Sequence, residues 1–405
     1  MKINALHPHR RAFLVGTSLL ALSTTLPAQA QDASAPIRVG QTLPLTGPLA
    51  SVGTIHKLAA EVFVEALNKR GGLLGRKVEL VLLDDQSQPG NTRTSYERLI
   101  TSDKVDLLMG PYGTSSIIAA MGVAQRYSKL FIQSSLGDPS LAPYDMQFPA
   151  LPLGPDPRIA DTEILLDAFA STPNPPKSIA IVTSKFPSAL DLANGAEEVA
   201  TKRGLKVVLS LQYEFGTRDF GGIAARIKDA NPDLLWSGAV GLEASQLLDA
   251  MKRIDYKPQR QFYLFPAPGP TVTNPNADGL TSLTWFENQE PFTKNKGAAE
   301  FVSLYNERAK AANLPWPQVD YQAASEYAAW QILEAAASGV GKIDDKAMAA
   351  WLKANTVNTV LGTHRFDGKF NSGSADTKVK QVQDGKWITV WPANYRAPGV
   401  TFIAP

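Results

Sequence analysis

The sequence predicts an α/β protein of two doubly wound lobes. The chain opens on a strand-helix-strand unit, and strand-like and helical patterns then alternate as far as Phe265. Of 405 residues, 375 remain once a leader of 30 is set aside, about two domains' worth.

The opening unit runs from Ile37 to Asp85. Ile37, Val39 and the run Val78 to Leu83 have the composition of buried parallel strands, whereas Leu58, Val62 and Ala66, with Phe63 and Leu67, recur at helical spacing. Asn68-Lys69-Arg70-Gly71-Gly72 stops that helix, placing basic residues where the helix dipole favours them. The loop Thr46 to Ser51 leaves the carboxyl end of the first strand, where open α/β sheets bind ligands.

Strand-like runs follow at Val105 to Gly110, Leu130 to Ser134, Ser178 to Thr183, Lys206 to Leu211, Leu234 to Ser237 and Gln261 to Phe265. Helical patterns lie between them at Ser115 to Tyr127, Asp156 to Phe169, Leu190 to Arg203, Phe220 to Asp229 and Leu242 to Arg253. Two proline-rich stretches interrupt the alternation. Phe148 to Pro152, with Pro155 and Pro157, follows a fourth strand and marks the passage from one lobe to the next; Pro266 to Pro275 is equally a surface loop or a second break. Lys296 to Ala312 and Tyr321 to Ala337 form an alanine-rich helical block, and Lys378 to Val382 and Lys386 to Trp391 flank Asp384-Gly385 as a hairpin.

The amino terminus predicts export. Lys2, Arg10 and Arg11 precede an apolar core from Ala12 to Leu26, and Ala28-Gln29-Ala30 is a small-x-small cleavage signal, so cleavage is expected near Ala30. The core is shorter than the ~20 residues of a spanning helix. Arg10-Arg11-Ala12-Phe13-Leu14 resembles a twin-arginine motif, with His9 in the place of its usual Ser or Thr; general secretion is the alternative. No later apolar run reaches ~18 residues, so no stable membrane insertion is expected.

Composition excludes several functions. The chain has no cysteine, which rules out disulfides, thiolate metal sites, a cysteine nucleophile and a lipid-modified cysteine anchor. The leader holds three of the 40 basic residues and none of the 38 acidic ones, leaving 37 against 38. That balance gives no electrostatic basis for binding nucleic acid or an anionic membrane.

Catalytic groups are sparse. Of four histidines only His56 and His364 lie beyond the leader, in different regions and outside any triad or metal spacing, so both are expected to be structural or solvated. Asp84 and Asp85 are adjacent at a strand end and point to opposite faces. Gly110-Pro-Tyr-Gly-Thr-Ser-Ser lacks the lysine of a phosphate loop. No enzymatic activity, metal or cofactor is expected. The same segment is the best anion site: Thr114, Ser115 and Ser116 open a helix after a parallel strand, bringing hydroxyls and free N–H groups together. Helix capping alone is the competing explanation.

Pro44 to Gly53 reads PLTGPLASVG and Gly71 to Gln86 reads GGLLGRKVELVLLDDQ. In spacing, order and position behind an export signal, these stretches resemble the two hallmarks of the leucine/isoleucine/valine-binding family of type I periplasmic solute-binding proteins. The resemblance covers essentially the whole mature chain, most closely up to Leu141. It implies two Rossmann-like lobes, residues 36–150 plus 286–361 and residues 151–285 plus 362–405, joined by a three-crossover hinge near Pro149 to Leu153, Leu283 to Phe286 and Val360 to Phe366. It further implies that Thr114 holds a ligand carboxylate, with Ser135 and Gly137 on a second carboxylate-holding loop that is equally a simple turn. Val52, Tyr112, Phe186, Ser188, Val240-Gly241 and Tyr327 would wall the pocket, although aromatic residues on helices, such as Tyr327, are as often core.

Two departures bear on the ligand. Where amino-acid binders of the family commonly place tyrosines, this chain has Ser188 and Val240 or Gly241. Where they place an acid to pair with the ligand ammonium, the loop after the Gln261 to Phe265 strand reads Pro266-Ala267-Pro268-Gly269-Pro270. A buried ammonium without a partner costs several kcal/mol, roughly a hundredfold in affinity. Unless Glu243 or Asp191 substitutes, a small carboxylate with an aromatic or aliphatic body is favoured over a free amino acid. The resemblance implies a monomeric periplasmic component that delivers its solute to an inner-membrane ABC permease. A periplasmic sensor, or an amide- or amino-acid-binding regulator on the same scaffold, is the alternative.

Overall fold

Two sheets organise the chain, each parallel at its centre, as continuous apolar strands require when both faces are covered. The computed structural model describes residues 35–397 and 399–404. The expected leader, its cleavage near Ala30 and the twin-arginine motif lie outside the described residues.

The first sheet is built from β1 (Ile37–Leu43), β2 (Val78–Asp84), β3 (Leu107–Leu108), β4 (Phe131–Gln133) and β5 (Gln147–Pro149), with α1 (Ala50–Lys69), α2 (Pro89–Thr101) and α3 (Thr114–Arg126) between the first four. β1 pairs in parallel with β2, Ile37 opposite Val78, and with β3, Val39 opposite Leu107. A parallel bridge from Met109 to Ile132 carries the sheet on to β4, which pairs in parallel with β5. The spatial order is therefore β2-β1-β3-β4-β5.

The second sheet follows α4 (Pro157–Ala170). It comprises β6 (Ser178–Ser184), β7 (Lys206–Tyr213), β8 (Leu234–Gly241), β9 (Arg260–Pro266) and β10 (Thr281–Thr284), connected by α5 (Pro187–Lys202), α6 (Gly221–Ala230), α7 (Glu243–Arg253) and α8 (Pro268–Val272). The chain then forms α9 (Ala298–Ala311), α10 (Tyr321–Val340), α11 (Asp345–Ala354) and a hairpin of β11 (Thr356–Thr359) and β12 (Gly362–Arg365). It returns to the second sheet as β13 (Lys378–Gln383) and β14 (Lys386–Trp391), both antiparallel additions, giving the order β14-β13-β10-β9-β8-β6-β7. Both halves thus share one winding, second strand, first, third, fourth, fifth. Its topological switch point lies between β1 and β3 in one half and between β6 and β8 in the other.

The helices explain how these sheets are covered. α1 buries the stripe Ile55, Leu58, Ala59, Val62 and Phe63, and Phe63 packs against Tyr327 and Trp330 of α10 at ring separations of 5.0 and 5.9 Å. α10 therefore belongs with the first sheet, although it follows the second in sequence. Its start is set by Asp320, whose Oδ1 accepts from the backbone N–H groups of Gln322 and Ala323 at 3.1 and 3.3 Å.

Several elements depart from expectation. The stretch Pro266 to Pro275 is not a surface loop over its first half. Pro266 to Gly269, Thr271 and Val272 are buried around α8, with Pro270 exposed, and Trp387 Nε1 donates to the Pro268 carbonyl at 3.1 Å. α2 escapes a periodicity search because only Thr92, Tyr96 and Leu99 are buried on it. β10 escapes because its residues are mostly polar, yet all four are buried, with Thr281 Oγ1 donating to the Gln261 carbonyl at 2.8 Å and Thr284 Oγ1 to Glu287 Oε1 at 2.8 Å. Among the described residues, no helix is long and apolar enough to cross a membrane.

Candidate ligand-binding cleft

The carboxyl ends of β3 and β4 face those of β6, β8 and β9 across a cleft, so side chains following these strands converge. After β3 come Tyr112 and Gly113, and after β4 come Ser135 and Gly137; Tyr321 and Gln322 join them from the start of α10. The opposite wall carries Phe186 and Ser188 from the β6–α5 junction, Val240 and Phe265 from the ends of β8 and β9, and Asp161 from α4. Leu151, Leu153 and Trp285, on segments linking the sheets, close the sides. The space between them measures about 20 Å³, roughly the room of one water molecule.

The two walls touch. Thr114 Oγ1 donates to Ser188 Oγ at 2.7 Å, with both hydroxyls buried. A Cβ on Gly137 would stand 3.0 Å from Ser188 Cβ and 3.1 Å from Phe265 Cζ, so only glycine admits this approach without displacing a neighbour. Gly113 has φ +93°, a conformation that L side chains rarely adopt, and its N–H donates to Ser135 Oγ at 3.1 Å. The Ser135 loop is itself held by Gln133, whose Oε1 accepts from the N–H groups of Ser135 and Leu136 at 3.1 and 2.8 Å.

A buried polar network supports the first wall from behind. Glu326 Oε1 accepts from Gln41 Nε2 at 2.8 Å and Trp330 Nε1 at 3.0 Å, and Ser134 Oγ donates to Oε2 at 2.9 Å. His56 bridges this carboxylate to the cleft. Its Nδ1 lies 3.1 Å from Glu326 Oε2 and its Nε2 3.2 Å from Oε1 of Gln322, a cavity residue. The imidazole also packs against Tyr112 at 4.7 Å. His364 is elsewhere, on β12 of the β11–β12 hairpin, with Nε2 2.8 Å from Thr359 Oγ1; burial lowers its pKa to about 4.

The acids decide what charge the cleft can meet. Glu243 is occupied: it accepts from the N–H groups of Gly216 and Val240 at 2.9 and 3.1 Å and from Tyr213 Oη at 3.3 Å, and burial raises its pKa. Asp191 does not line the cavity; burial, followed by the nearby charge of Asp138, raises it to about 6. The acid on the cavity wall is Asp161, which sequence reasoning missed. Burial raises it to about 7, against the opposing effect of Thr377, whose Oγ1 donates to Oδ1 at 3.0 Å.

Six of the expected ligand-binding residues, Tyr112, Ser135, Gly137, Phe186, Ser188 and Val240, line this one cavity. Thr114 adjoins it but spends its hydroxyl on Ser188. Ser115 is half-buried on α3 and away from the lining, and Val52 is wholly buried in the first turn of α1. Tyr327 is packed elsewhere, between Phe63 at 5.0 Å and Phe301 at 4.2 Å. Phe265 could have been found from its place at a strand's carboxyl end. Asp161, Trp285, Tyr321 and Gln322 carry no such signal, because helix starts and linking segments reach the cleft only through the tertiary fold.

Known proteins resemble the chain along nearly its whole length. Residues 36–386 match the family model described as periplasmic binding protein. The Leu/Ile/Val-binding protein homolog 3 of Brucella melitensis biotype 1 is 26% identical over 367 residues, covering 89% of this chain and 95% of the relative. Two solved structures share the fold. One is an ABC-transporter solute-binding protein of R. palustris in complex with benzoate, with TM-score 0.75, 19% identity and coverage of 91% and 99%. The other is a branched-chain amino acid transporter substrate-binding protein of Streptococcus pneumoniae in complex with isoleucine, with TM-score 0.73, 18% identity and coverage of 87% and 97%.

Proposed function

Because the chain belongs to the periplasmic binding protein family, in its leucine/isoleucine/valine-binding branch, we propose that it binds a small carboxylate with an aromatic or aliphatic body in the cleft between its sheets. The observation that carries this reading is the cavity at both switch points, where Ser135, Ser188 and Gln322 supply hydrogen-bonding groups among the aromatic walls Tyr112, Phe186, Phe265, Trp285 and Tyr321. The benzoate bound by the R. palustris protein supports an aromatic body. Where amino-acid binders of the family place an acid after the fourth strand of the second half, Ala267 and Pro268 are packed under Trp387 instead.

The halves, residues 36–150 plus 286–361 and residues 151–285 plus 362–405, act as jaws. A ligand that contacts both favours the closed arrangement by the free energy of contacts made only there. Thr114 and Ser188, now bonded to each other, are placed to exchange that bond for the ligand's carboxylate. The loaded protein then delivers its solute to an inner-membrane ABC permease.

Thermal-shift measurements on the mature protein test this with benzoate, branched aliphatic acids, leucine, valine and simple amides. A ligand at a hundred times its Kd stabilises by about 2.7 kcal/mol, a shift of several degrees. Acids are expected to produce it, and Thr114→Val to weaken them about tenfold. A shift with leucine or valine but not with their deaminated analogues would overturn the ligand class.

A further inference from the structure

Two carboxyl groups, one from each half, come together where the walls touch. Asp138 follows Gly137 on the loop after β4, in the first half, and Asp191 lies one helical turn beyond Ser188 on α5, in the second. The close approach of Gly137 to Ser188 and the 2.7 Å bond from Thr114 to Ser188 fix this meeting. The Asp138 carboxyl stands within hydrogen-bonding reach of the Asp191 carboxyl. Asp138 Oδ1 accepts from the Ser140 N–H at 2.7 Å, whereas Asp191 Oδ2 is buried and accepts from no ordinary donor. Ionised carboxylates only accept, so this pair can bond only when one member carries a proton.

The charged neighbours come from α4 and α5. Arg158 favours ionised Asp191, but its Nη1 lies 2.9 Å from Glu198 Oε2 and its Nε 4.0 Å from Asp156 Oδ1, so its charge is already met. Asp156 and Asp138 act the other way, and with burial as the largest cause the pKa of Asp191 rises to about 6. Asp161 adds a third carboxyl beside Asp138, held by Thr377.

We propose that closing the jaws takes up one proton, shared between Asp138 and Asp191, so that the protein closes more readily in acid than in neutral solution. Opening parts the two carboxyls, since each belongs to a different half, and returns Asp191 toward its ordinary value of 3.8. The closed form then binds the proton more tightly than the open one. Its advantage is complete below the open value and is lost as pH rises through about 6. Between pH 4.5 and 7.5 the ratio of closed to open molecules should fall more than about tenfold. An amide in place of either carboxyl donates to its partner at every pH, and so should hold the jaws together without a proton.

Small-angle X-ray scattering of the mature protein without added ligand tests this at pH 4.5 and 7.5. The wild type is expected to have the smaller radius of gyration at pH 4.5. General acidification adds like charge and works toward expansion, so contraction has the opposite sign to that effect. Asp138→Asn and Asp191→Asn are each expected to be compact at both pH values. An unchanged wild-type radius, or a larger one at pH 4.5, overturns the proposal. So does a contraction that survives in both variants, and its loss in Asp161→Asn would then assign the proton to Asp161. Should circular dichroism show Asp138→Asn unfolded, Asp191→Asn decides alone. Because no ligand enters the measurement, failure here leaves the carboxylate reading standing.

Discussion

Asp161, Asp191 and Asp85 hold their protons at pH values where ordinary aspartates have lost them, with pKa values raised to about 7, 6 and 6. Burial is the main cause in each. A carboxyl whose folded pKa exceeds its unfolded one binds protons more tightly when folded. Its stabilisation is complete below the unfolded value near 3.8 and is lost as pH rises through the folded value. His364 acts in the opposite sense: lowered to about 4, it costs stability as pH falls from 6.5 through that value. The wild type minus Asp161→Asn difference isolates one group. Urea denaturation should show that difference falling between pH 4 and 7 by roughly 1 kcal/mol per pH unit, and parallel curves would refute it. These residues also show where sequence legibility ends. Ser135 and Ser188 follow strands and can be placed by counting. Asp161 sits one helical turn into α4, and nothing in PDPRIADTEILL separates it from a solvated helix position.

At the level of elements, the register of α4 against α5 sets where Asp161 lies. Gly195 of α5 meets the backbone of α4 directly: an added Cβ would stand 2.0 Å from the Arg158 carbonyl oxygen. Gly195→Ala must therefore part the helices. Overpacking of this kind costs about 1 to 3 kcal/mol, which thermal denaturation would register as a Tm lowered by several degrees. An unchanged Tm would mean that the helices yield freely. The long elements were legible because α1, α5, α7 and α9 repeat their buried positions at helical spacing and β6, β8 and β9 are continuous buried runs. Of the short ones, β3 and β4 fall inside the expected runs Val105 to Gly110 and Leu130 to Ser134, whereas β10 stays in its sheet through side-chain hydrogen bonds that no apolar pattern announces.

For the whole molecule, the open question is what holds two separately wound sheets in register. One answer is Lys380 on β13, 1% exposed, whose Nζ lies 2.7 Å from Oε1 of Glu287 on the segment leaving β10. The ammonium also lies over Trp387 at 4.5 Å and over Tyr321, the first residue of α10, at 5.0 Å. One cation thus joins the second sheet, a linking segment and a helix of the first half. Lys380→Met leaves a buried carboxylate unpaired and should cost about 3 to 5 kcal/mol in chemical denaturation. Adding Glu287→Gln should restore much of that loss; a double variant no more stable than the single would show that the pair is not coupled. The strand alternation and the two hallmark stretches made the architecture legible at this scale. The pair was invisible, because 93 residues separate its members.

Building one winding order twice has a consequence for inheritance. Each half brings its own strand-end loops to the shared wall, so on the proposed reading substitutions around Phe186, Val240 or Phe265 would retune the ligand's body while the Gly113 and Ser135 loops keep the hold proposed for its carboxylate. A lineage with this layout can diversify what it carries by editing one jaw at a time.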